Sequence, residues 1–406
     1  MSSLRARSLL HFEQRVNDRD RTSKAPAIDS ELLPEAGKRR PLAWRRIPAG
    51  QLEVFHTSDE LAREALAQLR GGEDILVPVH PLSEYRFEQE GLLYAGFMQV
   101  SASYRTIFYE PEAGGPFHGW VPPGQALSIK LHLDEPLPGI PGDRRLTRDK
   151  VEKCVLLSTA LPNAVANDPL ADRLRILPEF LGLSHPDGGV LFRLVPDAGA
   201  FPAFSLHSRD QTAPGEPPLI IAALDALHPD ARDAAAEDIG PQLAAPLVRS
   251  LLAAMRAGFS LEMHAQNTLL QPGRQRLIDA VLFRDLEGVV FSNRFRRSNG
   301  QEPLFADSKN EELIWPGRSM ARWYNRNLDH DIGRILSATL EVLSSTGYFS
   351  DINIQIARQS IRHSVREAVR ESGLSGLHWP GRLMGFSRSP YGNGLRLGDY
   401  YRTRYR

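Results

Sequence analysis

The sequence predicts an α+β fold, on two observations. Short apolar runs bounded by glycine and proline recur between residues 75 and 195, the pattern of strands. Apolar residues at helical spacing take over at 241–258, near 320–345 and at 352–372. A mixed or antiparallel sheet core with flanking helices is expected, followed by a mainly helical C-terminal subdomain. At 406 residues the chain exceeds one ordinary core and should divide. The expected divisions are an arm and helix over 1–74, a core over 75–290 and a helical subdomain over 291–406.

Residues 1–50 are polar and rich in arginine and proline, and read as an arm with little core of its own. A helix capped by Ser58 should carry Leu61, Ala65, Leu66 and Leu69 to a stop at Gly71-Gly72. Ile75–His80 reads as a buried strand, with Pro81 holding the residue before it extended. Further strands are expected at Leu92–Val100, Tyr104–Tyr109 and Leu127–Leu133, with Glu110–Gln125 as a Gly/Pro-rich surface loop. Leu170–Leu181 reads as helix and Gly189–Val195 as strand, before a proline-rich loop to Pro218. An amphipathic helix over Pro241–Gly258 leads to two strands, Leu261–Gln271 and Gln275–Leu286, turning at Pro272-Gly273. Arg294–Arg297 is a basic surface segment, and two helices follow near Met320–Ser345 and at Ile352–Ser372.

Forty-nine basic residues balance 49 acidic ones, which gives no global reason to bind nucleic acid or an anionic membrane. Only six of the basic residues are lysines, so a lysine inside an apolar strand stands out. The single cysteine, Cys154, excludes an intramolecular disulfide framework and fits a reducing compartment. No apolar run reaches the length of a membrane span and no leader is evident, so a cytoplasmic location is expected.

The densest polar cluster is Leu261-Glu262-Met263-His264-Ala265-Gln266-Asn267, with Arg284-Asp285 downstream. On a strand, Glu262, His264 and Gln266 would share one face. Asn267 and Asp285 are oxygen donors of the kind that hold Mg²⁺ beside a triphosphate. His264 could donate to phosphate or transfer a proton. The competing reading is a hydrogen-bond network stapling a hairpin. A second element, Ser101-Ala102-Ser103-Tyr104-Arg105-Thr106, sets hydroxyls around a guanidinium that forks onto oxyanions. Lys130 shares a strand face with Ser128 and His132, where a lone lysine would ordinarily face solvent. Arg193, inside an apolar strand, needs a partner, either a phosphate or a glutamate. His80 reads as structural or catalytic. No P-loop, nucleophile elbow, zinc-protease or dinucleotide fingerprint is present.

Together these segments resemble the NRPS-independent siderophore synthetases, the aerobactin-synthetase-like (IucA/IucC) family. The resemblance rests on Val77-Pro-Val-His80-Pro81, Ser103-Tyr-Arg105-Thr106, Lys130-Leu131, Ile140 through Arg145, Gly189-Val-Leu-Phe-Arg193, Glu262-Met-His264-Ala-Gln266-Asn267 and Arg284-Asp285-Leu-Glu-Gly288, in the family's order. It implies an ATP-dependent carboxylate–amine ligase with a nucleotide cleft. Such enzymes form an acyl-adenylate, commonly of citrate, and condense it with an amine or hydroxyl in siderophore biosynthesis. By position, Ser103, Arg105, Thr106, Lys130 and Arg193 would cradle the ATP phosphates, with Gln266 and Asn267 at the nucleotide. Glu262 and Asp285 would hold Mg²⁺, while Arg145 and His264 would orient the carboxylate and stabilise developing charge. The implied partners are small-molecule carboxylate and amine substrates, and a second copy or a partner synthetase. Three departures stand out: no Gly-His-Pro-x-His-Pro stretch precedes His80, Pro141 replaces a threonine, and the loop between Thr106 and Lys130 is longer than the family's.

Two other readings compete. A small-molecule phosphotransferase would show the same order of histidine, asparagine and aspartate, but Ala265 and Gln266 stand where its catalytic aspartate belongs. An accessory protein would keep the nucleotide residues and support a partner synthetase without turnover.

Overall fold

The computed structural model describes residues 6–17, 30–87, 91–134, 144–209, 215–304 and 327–374. The chain forms two compact units, one of residues 7–159 with 177–198 and the other of residues 160–176 with the chain from Gly199 on. These divisions fall elsewhere than the expected 74/75 and 290/291.

The first unit is built on a nine-stranded sheet. In chain order its strands are β1 (Arg40–Pro48), β2 (Glu53–His56), β3 (Arg70–Gly71), β4 (Asp74–Val79), β5 (Leu93–Val100), β6 (Thr106–Glu110), β7 (Gln125–Leu131), β8 (Glu179–His185) and β9 (Gly188–Pro196). The spatial order is β2-β8-β9-β7-β6-β5-β1-β4-β3, and every pair is antiparallel. Alternation along these strands buries Trp44, Tyr109, Phe180 and Phe192 in a core with Phe117 from the 110–125 loop. Trp44 meets Tyr109 edge-on at 5.4 Å and donates its indole N–H to the Ala95 carbonyl at 2.8 Å. Gly96 has no substitute here, because a Cβ would lie 2.4 Å from the Tyr109 hydroxyl and its φ is +68°.

Three expectations need correction in this unit. The described residues before 50 do not form a solvated arm. Helix α1 (Leu9–Arg15) buries Leu9 and Phe12, and β1 is an interior strand with Trp44 fully buried. Helix α2 (Glu60–Leu69) is capped by Asp59, whose Oδ1 accepts from the Ala62 amide, rather than by Ser58. Leu170–Leu181 is not helical; it forms the strand Leu174–Ile176 and the start of β8. Pro178 interrupts any helix there, and the apolar run of β8 is buried on both faces, which erases the alternation. A helix the pattern did not announce, α3 (Arg148–Val165), stands upstream.

The second unit is mostly helical. Helices α4 (Leu219–Leu227), α5 (Arg232–Ile239), α6 (Ala245–Arg256), α7 (Gly333–Ser345) and α8 (Asp351–Ser372) surround a four-stranded mixed sheet. Its strands run in the order Phe201–Pro202, Thr268–Gln271, Ala280–Phe283, Leu174–Ile176, with the last pair parallel. Helix α8 opens on a capping box, Ser350 exchanging hydrogen bonds with Asn353. The helices expected at 241–258 and 352–372 are present; 320–326 of the third lies outside the described residues. Among the described residues, no helix is long and apolar enough to cross a membrane.

Candidate functional site

The candidate residues fall into two groups, one in each unit. In the sheet unit, the hairpin joining β5 to β6 carries Ser103, Arg105 and Thr106. Ser103 Oγ accepts from the Thr106 amide at 3.1 Å and meets Ser101 Oγ at 3.1 Å, which closes a tight serine-lined turn. Tyr104, at the tip, adopts a left-handed backbone with φ +66°. Arg105 is buried, and its Nη1 donates to the Arg144 carbonyl at 2.9 Å. Thr106 pairs in register with Lys130 across β6 and β7, so the two side chains lie side by side. Lys130 is 2 % exposed, which removes the solvent-facing reading of a lone strand lysine. Thr106 and Lys130 therefore set a hydroxyl and a cation side by side on β6 and β7, with Arg105 the next residue along the chain.

Arg193 has a glutamate as its neighbour on the adjacent strand. Its Nη1 lies 3.5 Å from Glu179 Oε1, both side chains being buried on neighbouring strands. Arg145 is exposed, one residue beyond the carbonyl that Arg105 grips. Ile140 and Pro141, which precede it in the motif, lie outside the described residues.

His80 is buried against the same hairpin. Its Nδ1 accepts from the Leu82 amide at 3.1 Å, which leaves the proton on Nε2, and Nε2 donates to the Tyr104 carbonyl at 3.0 Å. Burial pushes its pKa down to about 4, assisted by the charge of Arg40 and opposed by the bond to Tyr104. A neutral imidazole locked at both nitrogens holds a loop; it does not shuttle protons.

In the helical unit, the expectation of a strand over Leu261–Gln271 fails. Only Thr268–Gln271 is a strand, and 261–267 is a turn-bearing loop. The His264 carbonyl accepts from the amides of Asn267 and Thr268, so the chain doubles back at the motif. Glu262, His264 and Gln266 consequently do not line one strand face. The loop gathers its polar groups differently. His264 Nδ1 accepts from the Gln266 amide at 3.3 Å, which makes Nε2 the proton-bearing nitrogen. Asn267 is buried and donates to the Glu262 carbonyl at 3.3 Å. Arg284, also buried, grips the Gln266 carbonyl through Nε and Nη2 at 3.2 and 2.9 Å. The arginine of the Arg-Asp pair thus fixes the loop, and the following Asp285 turns outward at φ +72°, half-buried.

Glu262 and Asp285 flank this junction. Glu262 Oε2 rests where a Cβ on Gly288 would fall, only 2.1 Å away, so that glycine makes room for the carboxylate. Carboxylate and amide oxygens are the hard donors that suit Mg²⁺, which keeps several waters and needs one or two protein carboxylates. Among the described residues no three His, Cys, Asp or Glu side chains gather as a complete metal cage.

The sequence missed three supporting residues. Glu13 is fully buried, and its Oε2 accepts from the Ala102 amide at 3.0 Å. Its spacing with Leu9, Phe12 and Val16 placed it on an apolar helix face, a signal that was present. Glu179 sits on the segment mistaken for helix. Asn327 donates to Ser260 Oγ at 2.6 Å and to the Leu261 carbonyl at 2.9 Å, bracing the root of the 261–267 loop; nothing local in the sequence marks it.

No protein-family model matches the chain, and no curated protein does. Solved structures do match. ATP-bound aerobactin synthetase IucA from Klebsiella pneumoniae aligns over 91 % of this chain and 71 % of its own length, with a TM-score of 0.64 at 18 % identity. The fold is that of the siderophore synthetases. Aerobactin synthetase IucC, also from Klebsiella pneumoniae, has a TM-score of 0.56 at 16 % identity and covers 91 % of this chain and 73 % of itself. The petrobactin biosynthesis protein AsbB from Bacillus anthracis has a TM-score of 0.57 at 16 % identity, over 83 % of this chain and 62 % of its own. The synthetase fold thus covers the described sheet unit and the helical unit alike, well beyond the 75–290 stretch whose motifs first suggested it.

Proposed function

We propose that this chain is an ATP-dependent ligase of the siderophore-synthetase kind, which activates a carboxylate as its acyl-adenylate and passes the acyl group to an amine or hydroxyl. The observation that carries the reading is the pairing of Thr106 with the buried Lys130 on adjacent strands, next in the chain to Ser103 and the buried Arg105, in a fold shared with an ATP-bound synthetase. By their place in the motifs that resemble the synthetase family, Arg105 and Lys130 are assigned to the triphosphate, where preorganised positive charge stabilises the transferring phosphoryl group. Arg193, with Glu179 beside it, is assigned a supporting part.

The reaction divides into two displacements. A carboxylate oxygen attacks the α-phosphorus and pyrophosphate leaves; the amine or hydroxyl then attacks the acyl carbon and AMP leaves as the nucleophile loses its proton. In this reading Arg145 orients the carboxylate, and His264 presents Nε2–H to oxygen charge that builds during adenylation. Glu262 and Asp285 would hold Mg²⁺, with Gln266 and Asn267 at the nucleotide. Magnesium when bound neutralises charge on the phosphates.

Products decide the matter. Purified protein supplied with ATP, Mg²⁺ and a panel of carboxylates and amines is expected to release AMP and pyrophosphate together with a condensed product of matching mass. ADP would identify a phosphotransferase, and no nucleotide turnover an accessory protein.

A further inference from the structure

The hairpin that bears Ser103, Arg105 and Thr106 is gripped by two side chains to which the reaction gives no part. Glu13 comes from α1, 89 residues away in sequence, and accepts from the Ala102 amide at 3.0 Å. Its neighbour Gln14 donates to the Val100 carbonyl at 3.3 Å. His80 follows β4 and donates from Nε2 to the Tyr104 carbonyl at 3.0 Å. Both gripping side chains are essentially excluded from solvent, Glu13 at 0 % and His80 at 2 % exposure. The two bonds therefore bracket Ser103, one on the N–H of the residue before it and one on the carbonyl of the residue after it.

Between them lies Tyr104 with φ +66°, a conformation that bulky residues rarely adopt and that persists only where the surroundings impose it. Packing alone would be better served by apolar side chains at both places, since a buried carboxylate and imidazole are costly without hydrogen bonds. Glu13 Oε2 and His80 Nε2 both meet backbone groups of this one turn, while His80 Nδ1 accepts from the Leu82 amide. We propose that Glu13 and His80 are positioning residues that hold the Ser103–Thr106 hairpin in the geometry its phosphate-binding side chains need. The inference rests on the ligase reading for what the hairpin binds, and on the hydrogen bonds alone for what holds it.

Paired variants test it. Glu13→Leu and His80→Phe keep volume and remove the bond; Glu13→Gln keeps an acceptor, and His80→Gln keeps an N–H donor. The apolar variants are expected to raise the KM for ATP roughly tenfold or more, since small displacements of positioning groups cost that much. The thermal midpoint should stay within a few degrees, and the glutamine variants should recover most of the KM. Apolar variants with wild-type KM, or glutamine variants no better than they are, would overturn the assignment. A second measurement uses the wild-type protein without ligand, following hydrogen exchange at the Ala102 amide. Strong protection is expected. Exchange at the rate of an unstructured peptide would overturn the clamp even if an apolar variant failed to fold. Wild-type protein that protects Ala102 but turns over no ATP would sink the ligase reading and leave the clamp standing, so the two failures are separable.

Discussion

At the scale of single residues, burial decides what Lys130 and His80 can be. A lysine 2 % exposed on an interior strand is neither solvating nor decorative, and it lies beside Thr106 where phosphate is proposed to bind. Lys130→Met preserves much of the side-chain volume and deletes the charge. It should lower kcat/KM for ATP by the roughly 2–4 kcal/mol that one preorganised donor supplies, with little change in thermal midpoint. Wild-type kinetics in Lys130→Met would remove this lysine from the phosphate site. His80 makes a different prediction, about stability. Its folded pKa near 4 lies below the ordinary 6.5, so the unfolded chain takes up the proton first. Stability is then full above about pH 6.5 and declines as the pH falls toward 4, by roughly 3 kcal/mol in all. His80→Gln should flatten that limb in urea titrations run across the same interval; an unchanged acid slope would show that another group titrates.

At the scale of elements, the 261–267 loop and the Arg284–Gly288 turn form one device. Arg284 pins the loop by the Gln266 carbonyl, and Gly288 leaves space for the Glu262 carboxylate. Gly288→Ala would put a methyl group 2.1 Å from Oε2, and because that atom ends a flexible side chain the carboxylate swings away at small cost to the fold. The Mg²⁺ concentration for half-maximal activity should rise severalfold while the melting curve scarcely moves; an unshifted Mg²⁺ dependence would take Glu262 out of the ion's surroundings. The same loop shows what the sequence could and could not disclose. Polar and apolar residues alternate from Leu261 to Gln266, which imitates a strand, yet His264 turns the chain by accepting two amides. Residue types survive such a misreading and side-chain directions do not. The strands between Ile75 and Val195 were legible because each is short and bounded by turn residues. Glu179–His185 was not, since burial on both faces removes the alternation on which the reading depends. The grip of Glu13 on Ala102 spans 89 residues and no local pattern encodes it.

At the scale of the whole molecule, the candidate chemistry is divided between the units, with cations on the sheet and oxygen donors beside the small mixed sheet. In the sheet unit one charged concavity is lined by Arg45, Arg86, Asp134 and Asp187, and its charges are already matched. Arg45 lies 2.6 Å from Asp187, and Arg86 bonds Asp134. Carboxylates on that wall repel a polyanion. We therefore expect citrate to be a poor substrate for the isolated chain, and monocarboxylates or acids already condensed at one end to be better ones. Pyrophosphate release measured with each acid at nanomolar and micromolar enzyme tests this directly. Release with citrate that climbs steeply with enzyme concentration would mean that a second copy completes the site. Fast citrate turnover independent of concentration would show that this chain recognises a tricarboxylate by itself, and the expectation drawn from its charge distribution would fall.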